Sequence, residues 1–190
     1  MAGAAGQPES SLEQLYPPLA PALHAWACMR LSPAERVHVA PEDLTQEVWL
    51  RAARVFASFD VTRTTFRAWL FAVGKKVLLE VRRRLRRFRS EHAAQGSTTR
   101  IHALDQVPLS ISTITQRLSR NEDVQRFLAR VEELEPIERK TVLHCGLEGM
   151  PMAVAATQLG EAASTTAKRW QRLRARMATW AAPLGFLIDE

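Results

Sequence analysis

The sequence has few of the features that mark secreted, membrane-spanning or enzymatic proteins. Its 190 residues include two cysteines, Cys28 and Cys145, far apart, which excludes a disulfide scaffold and a CxxC metal site and favours a reducing cytoplasm. No apolar run approaches the roughly 18 residues that span a bilayer, and residues 1–11 do not have the pattern of a signal peptide. Because motifs such as HExxH and GxSxG are also missing, we expect no catalytic residues, no cofactor and no metal site.

The sequence is rich instead in positive charge, which is concentrated in two stretches. Its composition is globular, with 46% hydrophobic and 24% charged residues and a net charge of +6. Residues 74–89 carry eight cations and one acid, a net +7, residues 168–176 carry five cations and no acid, and the rest of the chain is therefore −6. This pattern indicates a polyanion contacted at two places, with two solvated helix faces as the alternative.

Helical patterning runs through almost the whole chain, so the predicted fold is all-α. A first helix is predicted over residues 12–31, with an interruption near the prolines of residues 17–21. A second begins at Pro41, because proline is favoured at the first helical position. A third covers about residues 65–89, with its arginines opposite a continuous apolar stripe. The members of that stripe are Phe66, Leu70, Val73, Val77, Val81, Leu85 and Phe88.

A stretch rich in Gly, Ser, Thr and Pro divides the chain into two predicted domains. Residues 90–118 lack aligned apolar positions and are predicted to be a flexible linker. They separate an N-terminal domain (10–89) from a C-terminal domain (119–180). For the apolar tail at 181–190, packing against the second domain is favoured over binding of a partner.

The second domain has the pattern of a helix-turn-helix. A capping box at Ser119–Glu122 opens it, and a short helix over 151–159, a turn at Gly160 and a helix capped by Ser164 follow. In such a motif the N-terminal residues of the second helix enter the major groove. A helical hairpin with one basic face would give a similar pattern.

Six of the thirteen aromatic residues lie within 23 positions beside the first basic stretch: Trp49, Phe56, Phe59, Phe66, Trp69 and Phe71. Most are predicted to be core residues. Trp69 borders the apolar stripe and precedes Lys75 and Lys76, so it is a candidate for stacking on an unpaired base, worth about 1–3 kcal/mol. Packing in the core is an equal alternative for this residue.

Motifs in both halves together resemble the extracytoplasmic-function (ECF) group of bacterial sigma factors. In the first half they are PEDLTQEVWLR (41–51), Phe59-Asp60, FRAWLF (66–71) and EVRRR (80–84). In the second half they are LEPIER (134–139), Glu148-Gly149, Leu159-Gly160, Thr165 and KRWQRLR (168–174). The resemblance covers residues 10–89 and 119–177.

The resemblance implies a sigma-two and a sigma-four domain that lie across RNA polymerase, recognise the minus-ten and minus-thirty-five promoter elements and melt the DNA. The positions that match the polymerase-docking face are Asp43, Leu44, Gln46, Glu47 and Arg51. Those that match the minus-ten surface are Asp60, Arg63, Trp69, Lys75, Lys76, Glu80, Arg82, Arg83 and Arg84. Those that match the minus-thirty-five reader are Ser164, Thr165, Thr166, Lys168, Arg169 and Arg172.

The partners implied are core RNA polymerase and promoter DNA, both duplex and single-stranded, in the cytoplasm and without insertion into a membrane; an anti-sigma factor is left open. The sequence departs from the family at Gly74, at Lys76 and at 151–156, where the usual acidic residues are missing. The main alternative is a helix-turn-helix regulator that does not dock on polymerase, which would leave the 41–51 motif unexplained. An anti-sigma or adaptor protein ranks third, because the zinc pattern of many anti-sigma factors is missing.

Overall fold

The computed structural model describes residues 8–92 and 121–180, and within these ranges the chain is helical with no strand. The first part contains α1 (Pro8–Arg30), α2 (Pro33–Arg36), α3 (Pro41–Val55), a 3₁₀ turn (Phe56–Ser58) and α4 (Phe66–His92). The second part contains α5 (Glu122–Glu132), α6 (Pro136–Thr141), a π-helical segment (Val142–Leu147), α7 (Met152–Leu159) and α8 (Ala163–Met177). The all-α prediction is confirmed. Ser119, the tail and nearly all of the predicted linker lie outside the described residues.

The helices before residue 41 differ from the prediction. The interruption expected near residues 17–21 is wrong, because α1 is continuous through them. Proline fixes φ near the helical value, so a helix that is held by other contacts can continue past it without the missing N–H bonds. The buried side of α1 runs from Ala20 to Cys28. Helix α2 was not predicted, and Ser32 and Glu35 close its single turn by a reciprocal capping box.

The two helices that carry the candidate residues of the first part pack through their predicted apolar faces. Helix α3 begins at Pro41 as predicted, with two acids in its first turn near the positive end of the helix dipole. In α4 the five central positions of the predicted stripe are buried, while Phe66 and Phe88 at its ends are half-buried. The buried side chains that α3 contributes are Leu44, Thr45, Gln46, Val48, Trp49 and Ala52.

The helix starts of the second part use caps other than the predicted ones. Asn121, rather than Ser119, caps α5. Its side chain accepts hydrogen bonds from the backbone N–H groups of Asp123 and Val124, at 2.9 and 3.3 Å. Helix α8 begins after Ala162, so Ser164 lies inside the first turn and is not the cap. The turn before it is as predicted, because Gly160 adopts a left-handed φ of 70° that closes α7.

The two parts are packed against each other. Their buried apolar side chains form one continuous cluster, with α1 in contact with α5 and with the π-helical segment. Helix α1 therefore carries the contact between the two halves. In the part of the chain that the structure describes, no helix has the length and apolar character that a membrane span requires.

Candidate nucleic-acid interface

The predicted polymerase-docking face on α3 is only partly at the surface. Leu44 is 1% exposed and Gln46 is 7% exposed, so both side chains belong to the interior and their assignment to a surface is corrected. The reason is the helical period, which places residue 44 on the same buried face as residue 48. Asp43, Glu47 and Arg51 are half-buried at the edge of this face.

Ion pairs connect the docking residues of α3 to the predicted minus-ten residues of α4. The Arg51 guanidinium donates to both oxygens of Glu80, at 3.2 and 2.8 Å. This hydrogen bonding raises the pKa of Arg51 and lowers the pKa of Glu80. A second pair joins Arg84 to Glu47 at 3.5 Å. These ion pairs therefore join the two predicted surfaces, and a substitution on one helix will alter contacts of the other.

The loop between the 3₁₀ turn and α4 presents an ordered tip. The Asp60 carboxylate accepts the backbone N–H of Thr62 at 2.9 Å and its hydroxyl at 2.6 Å. These hydrogen bonds lower the pKa of Asp60. Arg63 is exposed, and Val61 is 77% exposed at the tip of the turn. Val61 lies within the loop 60–64, which the resemblance to ECF sigma factors matches to the minus-ten surface.

Trp69 lies at the border between the core and the surface. Its ring lies 5.4 Å from that of Phe59, 5.6 Å from Phe66 and 6.1 Å from Phe56, measured between ring centroids. It packs against the core but remains half-buried. Its aromatic neighbours restrict the orientation of its ring.

The arginine stretch of α4 is divided between structural and exposed members. Arg82 donates to Glu35 at 2.8 Å and to the Arg30 carbonyl at 2.9 Å, so it joins α4 to α2 and to the end of α1. Burial would raise the pKa of Glu35, but hydrogen bonds from Arg82 and Ser32 lower it. The exposed cations of this helix are Lys76, Arg83, Arg86, Arg87 and Arg89. The predicted surface is therefore narrower than the sequence indicated.

In the second part, a carboxylate at the turn organises the predicted minus-thirty-five reader. Thr166 is fully buried and its hydroxyl donates to Glu161 at 2.6 Å, which corrects its assignment to the reading surface. Arg169 donates to both oxygens of the same carboxylate. These hydrogen bonds lower the pKa of Glu161 and raise that of Arg169. Four predicted readers are exposed: Ser164, Thr165, Lys168 and Arg172.

A second carboxylate, Glu148, lies where the two parts meet, and its side chain has no exposed surface. It accepts the Trp26 indole N–H at 2.8 Å and the Arg30 Nε–H at 3.1 Å. The Lys75 ammonium lies 3.2 Å away, and His144 Nδ1 lies 3.1 Å away. Sequence reasoning missed this cluster, although Glu148 is the one acid in a largely apolar run.

The surroundings of Glu148 keep it ionised. Burial would raise its pKa, but the hydrogen bond from His144 and the charge and hydrogen bonds of Arg30 lower the pKa to about 2. A neighbouring bond completes the junction, because Arg67 donates to the Leu147 carbonyl at 3.0 Å. Burial lowers the pKa of Arg67. The contact between the two parts is thus largely apolar, with a cluster of charged side chains within it. Elsewhere, residues 8–92 and 121–180 bring together no group of three or more potential metal ligands.

The family description Sigma-70 region 2 matches residues 15–88, which include α2, α3, the loop and most of α4. Residues 15–88 therefore form a Sigma-70 region 2. The sigma-factor function predicted from the sequence is therefore confirmed. A regulator that does not dock on polymerase would not account for this region. Sigma factors are not enzymes.

Two solved structures are similar to this sigma factor. One is the sigma factor RpoE in complex with the anti-sigma factor NepR from Bartonella quintana, with 23% identity, a TM-score of 0.47, and coverage of 88% of this chain and 94% of that chain. The other is CnrH in complex with the cytosolic domain of CnrY, with 19% identity, a TM-score of 0.42, and coverage of 92% and 89%. No curated protein sequence matches the chain.

Proposed function

We propose that this sigma factor is of the ECF group and acts in the cytoplasm, where it binds core RNA polymerase through α3 and reads two promoter elements. The loop at 60–64 and the exposed face of α4 contact the minus-ten element, and the exposed start of α8 contacts the minus-thirty-five element. The observation that carries the proposal is the presence of separate basic surfaces on a Sigma-70 region 2 and on a helix-turn-helix.

Binding of the opened strand, and not hydrolysis of a nucleotide, drives DNA opening in this proposal. Separating base pairs costs about 1.4 kcal/mol of stacking per step, and the sequence has no GxxxxGK[ST] loop that would bind a nucleotide for hydrolysis. Binding of phosphates by Arg83, Arg86 and Arg87, together with a base placed against Trp69, supplies favourable free energy to the opened strand. Tethering of two weak sites makes the second contact intramolecular.

The experiment that tests this function is reconstitution of the purified chain with sigma-free core RNA polymerase and a genomic promoter library. We expect transcripts with discrete starts that share two spaced upstream elements. Binding to DNA without binding to core polymerase would contradict the proposal. If the chain binds the core but yields no transcripts, promoter recognition is the part that is wrong. An anti-sigma factor stays a prediction, and capture of a regulator by the purified chain would test it.

The docking surface is tested by reversing charge on α3. Asp43→Lys with Glu47→Lys is expected to reduce core polymerase binding at least tenfold, since both side chains border the exposed edge of the helix. Glu122→Lys with Glu133→Lys makes the same change in net charge at exposed positions of the second part and is the control. The measurement is the affinity of each double variant for labelled core polymerase. Equal losses of affinity in the two double variants would refute the assignment of the docking face to α3.

The minus-ten surface is tested by removing exposed arginines only. Arg83→Ala with Arg87→Ala should weaken binding of single-stranded promoter DNA and reduce the slope of log K against log salt by about 1.4, at about 0.7 per phosphate contact. Arg126→Ala with Arg130→Ala removes two exposed cations from α5 and serves as the control. An unchanged slope would show that these arginines do not contact DNA phosphates.

A further inference from the structure

Three donors of the first part form a small notch for an oxyanion. Trp26 and Arg30 come from α1 and Lys75 from α4, and all three reach the Glu148 carboxylate. Gly74 permits this arrangement, because a Cβ at that position would lie 3.2 Å from the Trp26 ring. The indole therefore lies against α4. The notch belongs wholly to the first part, and only its occupant comes from the second.

The notch continues the basic face of α4. Lys75, Arg82, Arg86 and Arg89 follow one another at intervals of seven, four and three residues, which places them on one side of the helix. Two carboxylates contact this face: Glu148 pairs with Lys75, and Glu35 pairs with Arg82. Carboxylate and phosphate oxygens accept the same charge-assisted hydrogen bonds. Both acids thus occupy positions that suit the backbone of a polyanion.

We propose that the notch of Trp26, Arg30 and Lys75 is a binding site for a phosphate of promoter DNA, and that Glu148 occupies it in the closed arrangement seen here. The inference rests on the proposed function and adds to it a contact and a form of control. In the free chain the second part masks the notch. Promoter phosphate displaces the carboxylate, so that DNA binding and separation of the two parts are coupled.

The energetics of the cluster suit a reversible contact. Bringing several charges out of water costs free energy that their attraction only partly returns. The Glu148 side chain is fully buried, whereas Arg30 and Lys75 remain 23% and 36% exposed. Separation of the two parts returns Glu148 to water and leaves both cations available for another anion. By linkage, any ligand that prefers the separated form shifts the chain towards it.

Glu148→Gln tests the proposal on the full chain. The probe is a fluorescein-labelled oligothymidine of 20 nucleotides, which offers phosphates without a promoter sequence. We expect about tenfold tighter binding than for the wild type, and a salt slope steeper by about 1.4 because two cations are released to phosphates. Solution X-ray scattering should show a larger radius of gyration. Glu133→Gln removes the same charge from an exposed pair with Arg130 and is the control. If the two variants bind and scatter alike, the proposal is wrong.

A measurement on the wild type avoids any effect of the substitution on folding. Saturating oligothymidine should increase hydrogen exchange in peptides that cover residues 142–150, since these residues are released from α1 and α4. Unchanged or slower exchange there would overturn the proposal. Neither measurement uses polymerase, so failure of core docking leaves them valid. Conversely, transcripts obtained with core polymerase alongside unchanged exchange would retain the proposed function and remove only this inference.

Discussion

Glu148 and Glu161 organise two regions of the molecule in different ways. Glu161 binds Thr166 and Arg169, five and eight residues away, within one helix-turn-helix. Glu148 binds Trp26 and Arg30, 122 and 118 residues away, across the two parts of the chain. Glu161 lies near the surface, whereas the side chain of Glu148 has no exposed surface.

A local ion pair stabilises a single motif, whereas an ion pair between distant residues depends on how the two parts are packed. The contacts of Glu161 form whenever α7 and α8 fold, because the loop that closes is short. The contacts of Glu148 with Trp26, Arg30 and Lys75 exist only while the second part rests on α1 and α4. Their partners include Lys75, a residue that we also assign to DNA. The same side chain can therefore report on which state the protein is in.

Removing each carboxylate is expected to give the largest contrast. Glu148→Ala should lower the free energy of unfolding by about 3 kcal/mol, because Arg30 and Lys75 then lack the anion between them. Glu161→Ala should lower it less, because it leaves one cation, Arg169, without its anion rather than two. Urea denaturation followed by circular dichroism and tryptophan fluorescence measures both. Equal midpoints for the two variants would refute the distinction.

Acid should break the distant contact progressively. The pKa of Glu148 falls from its ordinary value of 4.5 to about 2 in the folded protein. A lowered pKa means that the carboxylate contributes its full stabilisation above pH 4.5 and loses it as the pH falls towards 2, a total of about 3 kcal/mol. The titratable groups that face it are Arg30, Lys75 and His144. Scattering between pH 6 and pH 2.5 should show expansion.

The acid experiment needs a control because other carboxylates also titrate. The pKa values of Glu35, Glu80 and Glu161 are lowered too. Glu148→Gln retains all three, so the difference between its pH profile and that of the wild type isolates Glu148. Superimposable profiles would show that Glu148 does not control the contact.

Two glycines provide the smallest and most local comparison. Gly160→Ala should lower the free energy of unfolding by about 1 kcal/mol, because a left-handed φ disfavours Cβ while no atom lies within 4 Å. Gly74→Ala should change it less, since helix propensity improves by about 1 kcal/mol as the new Cβ crowds Trp26. Thermal melts measure both. Only Gly74→Ala is expected to alter oligothymidine binding, and an effect of Gly160→Ala of the same size would contradict this.

Much of the fold was predictable from local patterns. The apolar stripe of α4, the start of α3 at Pro41 and the turn at Gly160 follow from periodicity and from the backbone preferences of proline and glycine. The ends and caps were less predictable. Asn121 and Ala162 precede their helices where serines were expected, because several nearby residues can end a helix and packing selects among them.

The burial of individual residues in the candidate surfaces was not predictable from the sequence. Sequence motifs placed Leu44, Gln46 and Thr166 on binding faces, and the structure buries all three. They lie on the helices that carry the proposed surfaces, but whether each side chain is buried depends on which neighbour covers the helix. Arg82 was grouped with the exposed arginines, yet it joins three helices. Spacing along one helix cannot reveal a partner on another.

Composition, periodicity and short motifs were enough to predict a helical chain in two parts, with two basic helices and a resemblance to sigma factors. These properties act over a few residues. Which cations remain exposed and where the two parts meet depend on packing between helices. Glu148 is the clearest case, because three of its four polar neighbours, Trp26, Arg30 and Lys75, are far from it in the chain and reach it only through packing.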